Sequence, residues 1–228
     1  MLPVKKGSLG MKRTTIWAIL VIFCVMTFAF GRKHSKGGQQ GSASFDYYLL
    51  SLSWAPSYCA SHPSDSSSEC KAGNHTAFVL HGLWPSSNNN PMQPLSCAPA
   101  RPVASDIVQH MLEYFPDKGL IQHEWAKHGT CSGLTSAQYF GKVEQAFKAV
   151  QVPDRYKKLN HSQQISEHDV EQDFAQANNA PAEAFRLSCH AEQLVALEAC
   201  LDKDLHYQEC PANTRKCRSS QVKLAPPK

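Results

Sequence analysis

No two of the nine cysteines in this 228-residue chain are spaced C-x-x-C, which removes the usual sign of a zinc ribbon or a thioredoxin-like redox site. Gly-x-Ser-x-Gly and phosphate-loop motifs are missing as well, so there is neither a nucleophile elbow nor a nucleotide cradle. His123-Glu124 opens like a zinc-protease H-E-x-x-H helix, but the next histidine is His128, five residues on. Two ligands at that spacing diverge by ~140° around a helix rather than stacking one turn apart. Internal repeats and heptads are absent, so a solenoid or a coiled coil is excluded.

Acidic residues are absent before Gly31, where Lys5, Lys6, Lys12 and Arg13 account for the whole formal net charge of +4. Beyond residue 31 the chain is neutral, and its overall charge leaves no footprint for a polyanion partner. That part also holds all eleven histidines, so it turns cationic in mildly acidic surroundings. The four basic residues precede Thr15–Phe30, sixteen residues without a charge. Such a run is short for a spanning helix and close to a signal-peptide core. Ala29 and Gly31 fit a cleavage after residue 31, against which Arg32 counts, and an uncleaved N-terminal anchor is the alternative.

Setting aside Cys24 in the apolar run, eight cysteines follow a signal-like segment. An even set in that context reads as four disulfides formed in an oxidising compartment, secreted or periplasmic. Cys59 and Cys70 bracket a Ser-rich loop, a spacing suited to a local clip; the remaining pairings are open from spacing alone.

The chain divides into 1–31, a flexible Gly/Ser linker 32–44, a domain 45–217 and a disordered Pro/Lys tail 218–228. Phe45–Trp54 reads as a first strand stopped by Pro56, with Ser51 and Ser53 alternating near its end. Thr76–His81 reads as a second strand, ended by a Gly82–Pro85 turn. Apolar periodicity predicts helices over Val103–Phe115, from Thr135 to Val150, and over Ile165–Asn178, and Leu120–His128 is taken as helical for the reading that follows. Pro153–Gln164 reads as a polar connection, and Glu183–Cys189 and Glu192–Cys200 as strands. Strands and helices without regular βα alternation imply an α+β fold with an antiparallel-rich sheet and packed helices.

The densest chemistry is His123-Glu124-Trp125-Ala126-Lys127-His128-Gly129-Thr130-Cys131. On a helix, with His123 at zero, Lys127 falls at ~40°, Glu124 at ~100° and His128 at ~140°. Four ionisable groups then share one side against an apolar back, and Gly129 is placed to end the helix in a left-handed conformation. Cys131 beside His128 can be read as a nucleophile or as half of a disulfide, the second being favoured in this compartment. A second imidazole, His81, ends a buried strand. A histidine base and a histidine acid suit phosphoryl transfer within a substrate that carries its own nucleophile, as RNA does in its 2′-hydroxyl. A lysine can then stabilise the crowded phosphorus centre, so no metal or cofactor is needed.

Phe78-Val79-Leu80-His81-Gly82-Leu83-Trp84-Pro85 and the 123–131 stretch resemble the two active-site segments of the ribonuclease T2 family. Phe45-Asp46-Tyr47-Tyr48 through Ser53-Trp54-Ala55-Pro56 resembles its first strand, and the likeness spans about residues 45–217. The resemblance implies a secreted, metal-independent endoribonuclease acting on single-stranded RNA through a 2′,3′-cyclic phosphate to 3′-phosphate ends. It implies no action on DNA and a monomer with no membrane attachment once mature. By analogy His128 is the base, His81 the acid, and Glu124 and Lys127 hold the phosphate and its developing charge. His123 binds phosphate or positions substrate, and Trp84 stacks on a base. The family pattern also implies the pairs Cys97–Cys131, Cys189–Cys217 and Cys200–Cys210, leaving Cys59–Cys70. Where some members carry an acidic residue after Trp-Pro, this chain has Ser86-Ser87-Asn88, so base preference is not carried over. Trp54 and Trp125 read as core. His62, His75, His161, His168, His190 and His206 read as surface or structural. Asn74 and Asn160 fit glycosylation acceptors.

Overall fold

The computed structural model describes residues 44–89, 93–212, 217 and 219–227. The apolar run Thr15–Phe30 and all of the linker but Ser44 lie outside them.

Among the described residues the strands are β1 (Tyr47–Trp54), β2 (Phe78–Ser86), β3 (Gln163–Ser166), β4 (Phe185–His190), β5 (Gln193–Leu201) and β6 (Gln221–Leu224). The helices are α1 (Ala55–Ser61), α2 (Ser105–Met111), α3 (Lys118–Lys127), α4 (Ser136–Ala149), α5 (Asp154–Lys157) and α6 (Glu167–Asn178). Antiparallel pairing joins β2 to β1, β1 to β5, β5 to β4 and β3 to β6. One parallel contact between Gln193 and Lys223 ties β6 to β5. The fold is α+β with an antiparallel-rich sheet.

Period-two alternation in β1 sends Tyr48, Leu50, Leu52 and Trp54 into the main core and Tyr47 and Leu49 into a smaller cluster on the other sheet face. Each of the four core side chains is at most 2% exposed, a burial that contributes about 1.5–3 kcal/mol for a typical large apolar side chain. Met111, Ile121, Trp125, Phe140, Val143 and Phe174 cover that core from α2, α3, α4 and α6.

Several boundaries differ from the sequence expectation. Pro56 does not merely stop β1; it sits in the first turn of α1, where its missing N–H costs nothing. Strand β2 runs through the expected Gly82–Pro85 turn, because an edge strand tolerates proline and, among the described residues, β2 pairs only with β1. Ile165 belongs to β3, and α6 starts after Ser166, whose hydroxyl accepts from the Asp169 N–H. The polar connection before it contains α5, with Tyr156 buried. The tail expectation is corrected most plainly: 221–224 form β6, with Val222 and Leu224 at 0% and 1% exposure. Apolar residues two apart on a strand paired with β3 bury one face, and two prolines nearby do not prevent it.

Disulfides join Cys59–Cys70, Cys97–Cys131, Cys189–Cys217 and Cys200–Cys210. Among the described residues no helix is long and apolar enough to cross a membrane.

Candidate active site

The β1–β2 ladder slips by one residue: Ser51 pairs with Gly82 and Leu52 with Leu80, so His81 is the extra residue of a bulge. A bulge re-aims the side chain it carries. Without it, strict alternation would put His81 and Leu83 on the same face. Instead Leu80 and Leu83 both enter the main core, and His81 meets Ser53, its Nδ1 lying 3.0 Å from the serine hydroxyl.

Helix α3 closes over this edge strand. It begins with Asp117, whose carboxylate accepts from the Gly119 and Leu120 amides and satisfies two orphan donors of the first turn. The four polar side chains do not share one solvent-facing side. Glu124 and His128 are 0% and 8% exposed and face inward with Ile121 and Trp125, whereas His123 and Lys127 are exposed. The reason is position: helix α3 lies at the sheet's edge, so its inward arc is broad enough to take in the Glu124 and His128 directions as well as the apolar ones.

Gly129 also departs from expectation. It is not left-handed; it opens a 3-10 turn, Gly129–Cys131, after His128 caps the helix. Its need for glycine is steric. A Cβ there would collide with the Trp125 ring and come within 2.9 Å of Tyr139 Cδ1. Tyr139, itself wholly buried, donates its hydroxyl to the Leu83 carbonyl across 2.9 Å, fastening α4 to β2. Cys131, fully buried, is bonded to Cys97 and is therefore not a nucleophile.

Two links join strand and helix. Trp84 Nε1 donates to Glu124 Oε2 at 2.7 Å, and the Trp84 and His128 rings stack with centroids 5.0 Å apart at 26°. Trp84 also meets His81 edge to face, at 5.2 Å and 82°. Gly82 makes the junction possible: a Cβ there would overlap the Glu124 carboxylate and reach within 2.6 Å of the Trp84 Nε1. His81 Nε2 stands 3.6 Å from Glu124 Oε1, just too far for a hydrogen bond, and Oε1 is buried with no partner. His128 Nδ1 is likewise buried and unpartnered.

These surroundings reset the ionisation of all three groups. Burial pushes the Glu124 carboxyl up to about 8, against the Trp84 hydrogen bond. Burial, then the His123 charge, pushes His81 down to about 4. His128 falls to about 3 by burial and by the His123, His81 and Lys127 charges. Desolvation dominates each, as expected where charge is taken from water without a counterion.

Trp84 thus touches His81, Glu124 and His128, with His123 and Lys127 exposed on the same helix. Sequence reasoning left out Ser53 and Gly82. Ser53 was signalled by the alternation of Ser51 and Ser53 in an otherwise apolar strand, Gly82 by its place beside His81. Ser87 and Asn88, beyond the Trp-Pro step, are tied to Asp46 Oδ2 at 3.0 and 2.8 Å.

The ribonuclease T2 family model matches residues 45–210. A ribonuclease of Aeromonas hydrophila is 39% identical over 98 residues, 43% of this chain and 43% of that one. A probable ribonuclease of Haemophilus influenzae is 35% identical over 132 residues, 52% of this chain and 48% of that one. The chain spans less than half the length of these two curated relatives. An RNase-related protein from Calystegia sepium has the same fold, with a TM-score of 0.67 at 22% identity over 82% of this chain and all of that one.

Proposed function

This chain belongs to the ribonuclease T2 family, and from that premise we propose that it cleaves single-stranded RNA by transphosphorylation. The observation that carries the reading is the pair of imidazoles, His81 and His128, both packed against one indole.

In the first step neutral His128 takes the proton of the 2′-hydroxyl as its oxygen attacks the adjacent phosphorus. The bond from phosphorus to the 5′ oxygen breaks, and that oxygen receives a proton from cationic His81. The products are a 2′,3′-cyclic phosphate and a free 5′-hydroxyl. Water then opens the ring with the two histidines in exchanged roles, leaving a 3′-phosphate.

Glu124 acts here as a neutral acid. Because Oε2 accepts from Trp84, the carboxyl proton sits on Oε1, the oxygen that faces His81 and has no partner. It can donate to a phosphoryl oxygen as charge builds there, with Lys127 supplying a full positive charge. His123 on the outer turn attracts the phosphate and, through its own charge, depresses both acid–base histidines. Trp84 has one ring face on His128 and its N–H on Glu124, so we assign it to positioning these two groups. A base can stack only on what remains of its ring. The four disulfides fit work in an oxidising compartment outside the cytoplasm.

Incubating the protein with RNA and with single-stranded DNA, each in excess chelator, tests the reading. RNA cleavage that survives chelation, with DNA left intact, is expected. Loss of cleavage in chelator would point to a metal-dependent hydrolase, and cutting of DNA would rule out attack by a 2′-hydroxyl.

A further inference from the structure

An imidazole has two ring nitrogens, and what each of them faces decides which one keeps the proton when the ring is neutral. His81 turns Nε2 toward Glu124, so for Nε2 to do acid–base work the retained proton has to sit on Nδ1. A polar partner stands there. The Ser53 hydroxyl oxygen on β1 lies 3.0 Å from His81 Nδ1, and the cross-strand neighbours of Ser53, Val79 and Ala196, carry no polar side-chain atom.

The contact exists because of the bulge. Ser53 pairs with Val79, two residues before His81 on β2, and the re-aimed ring comes back over it. The ionisable groups that line the same cleft are engaged elsewhere. Glu198 accepts from Arg186 Nε at 2.7 Å, Tyr58 donates to Asp65 at 2.8 Å, and His62 Nδ1 lies 2.9 Å from the Tyr58 carbonyl oxygen. His123 reaches His81 through its charge.

The far side of the ring calls for the same orientation. With its proton on Oε1, the Glu124 carboxyl points a donor at Nε2 across 3.6 Å. A proton on Nε2 would set two donors face to face with no acceptor between them, whereas a lone pair there meets the O–H. The edge contact with Trp84, at 5.2 Å and 82°, holds the plane of the ring.

We propose that Ser53 is the positioning residue of the acid histidine: its hydroxyl oxygen accepts from Nδ1–H and keeps the working lone pair of neutral His81 on Nε2. The assignment rests on the RNA-cleaving reading above. When His81 is cationic, Nε2 gives its proton to the 5′ oxygen and keeps the bonding pair, while Nδ1–H stays on Ser53. In ring opening that same lone pair takes the proton of water. Ser53 touches neither transferred proton. Without it the ring can turn over or move its proton to Nε2, and either change takes the lone pair out of the site.

Two measurements test the role. In a long-range proton–nitrogen NMR spectrum at pH 7, where His81 is neutral, its signals are those lost in His81→Ala. They should place the proton on Nδ1. Ser53→Ala should shift them toward the Nε2–H form, and Ser53→Thr, which keeps the hydroxyl, should not. In steady-state kinetics Ser53→Ala is expected to lower kcat about tenfold, with KM within about twofold of the parent value. That loss should appear on a dinucleoside monophosphate and on a nucleoside 2′,3′-cyclic phosphate alike, and Ser53→Thr should stay within about threefold of the parent on both. A parent His81 with its proton on Nε2, or an alanine variant that keeps both tautomer and rate, overturns the role. So does a loss confined to the dinucleoside monophosphate, which would set Ser53 against the leaving nucleoside instead. If Ser53→Ala does not fold, the parent tautomer and the threonine variant still decide. An unsubstituted protein that leaves RNA intact would remove the RNA-cleaving reading itself, whatever the tautomer.

Discussion

Trp84 donates its indole N–H to Glu124 across 2.7 Å, joining an edge strand to a helix forty residues later. The bond fixes one oxygen of a wholly buried carboxyl and leaves the other free beside His81. Strand and helix meet there only because residue 82 has no side chain.

Gly82→Ala should therefore disable the site before it unfolds the protein. The new methyl displaces the Glu124 carboxyl group and strains its bond to Trp84. A shift of about 1 Å in a catalytic group can cost on the order of a hundredfold in rate. We expect a loss of that size in kcat with the melting transition still cooperative. Steady-state kinetics alongside thermal unfolding checks both parts, and near-parent activity would show that the cradle is not needed.

Glu124→Gln should make the protein more stable and less active. The unfolded carboxyl ionises near its ordinary 4.5, the folded one near 8. Between those values the folded chain holds a proton that the unfolded chain has released, so stability falls as pH rises through that window. Glutamine keeps the oxygen that accepts from Trp84 and cannot ionise. It should restore on the order of 3 kcal/mol at pH 7, read as a higher denaturant midpoint and a flatter dependence on pH. A destabilised variant at pH 7 would contradict a neutral Glu124.

The secondary structure was largely legible, and the site only in part. Hydrophobic period found α4, where the structure also contains a Thr135–Gln138 capping box, whereas α3 was assumed helical rather than found by period. The bulge at His81 could not be read, because it depends on register against β1 rather than on any local pattern. Helical angles placed four polar groups correctly on α3 but not which of them are buried, since that is set by where the helix lies against the sheet. The tail escaped because four residues of alternation are too few to outweigh neighbouring proline and lysine; its pairing with β3 supplies the missing reason.

Activity should fall as pH rises. On the proposed mechanism the free protein needs neutral His128, at about 3, and protonated His81, at about 4. Above pH 4 the protonated fraction of His81 drops about tenfold per unit, and kcat/KM should fall with it. Removing the His123 charge raises both values, so His123→Ala should shift the falling limb to higher pH whatever its effect on affinity. A limb that stays in place would mean that His123 does not couple to the pair.

The Cys97–Cys131 bridge closes a loop across 34 residues and anchors the turn that follows His128. On chain entropy alone such a loop is worth about 4 kcal/mol. Replacing both cysteines by serine should lower the denaturant midpoint accordingly and reduce kcat even where the variant is folded. Full turnover by that folded variant would show the anchor to be dispensable.

The central claim is that the substrate supplies the nucleophile and two histidines move its protons. The most direct measurement uses a DNA oligonucleotide containing one ribonucleotide, with the ends of the fragments identified by mass. Cleavage only on the 3′ side of the ribose, giving a 2′,3′-cyclic phosphate and a 5′-hydroxyl, is expected, and it should be abolished in His81→Ala and in His128→Ala. Cleavage at deoxyribose positions, or fragments bearing a 5′-phosphate, would contradict it.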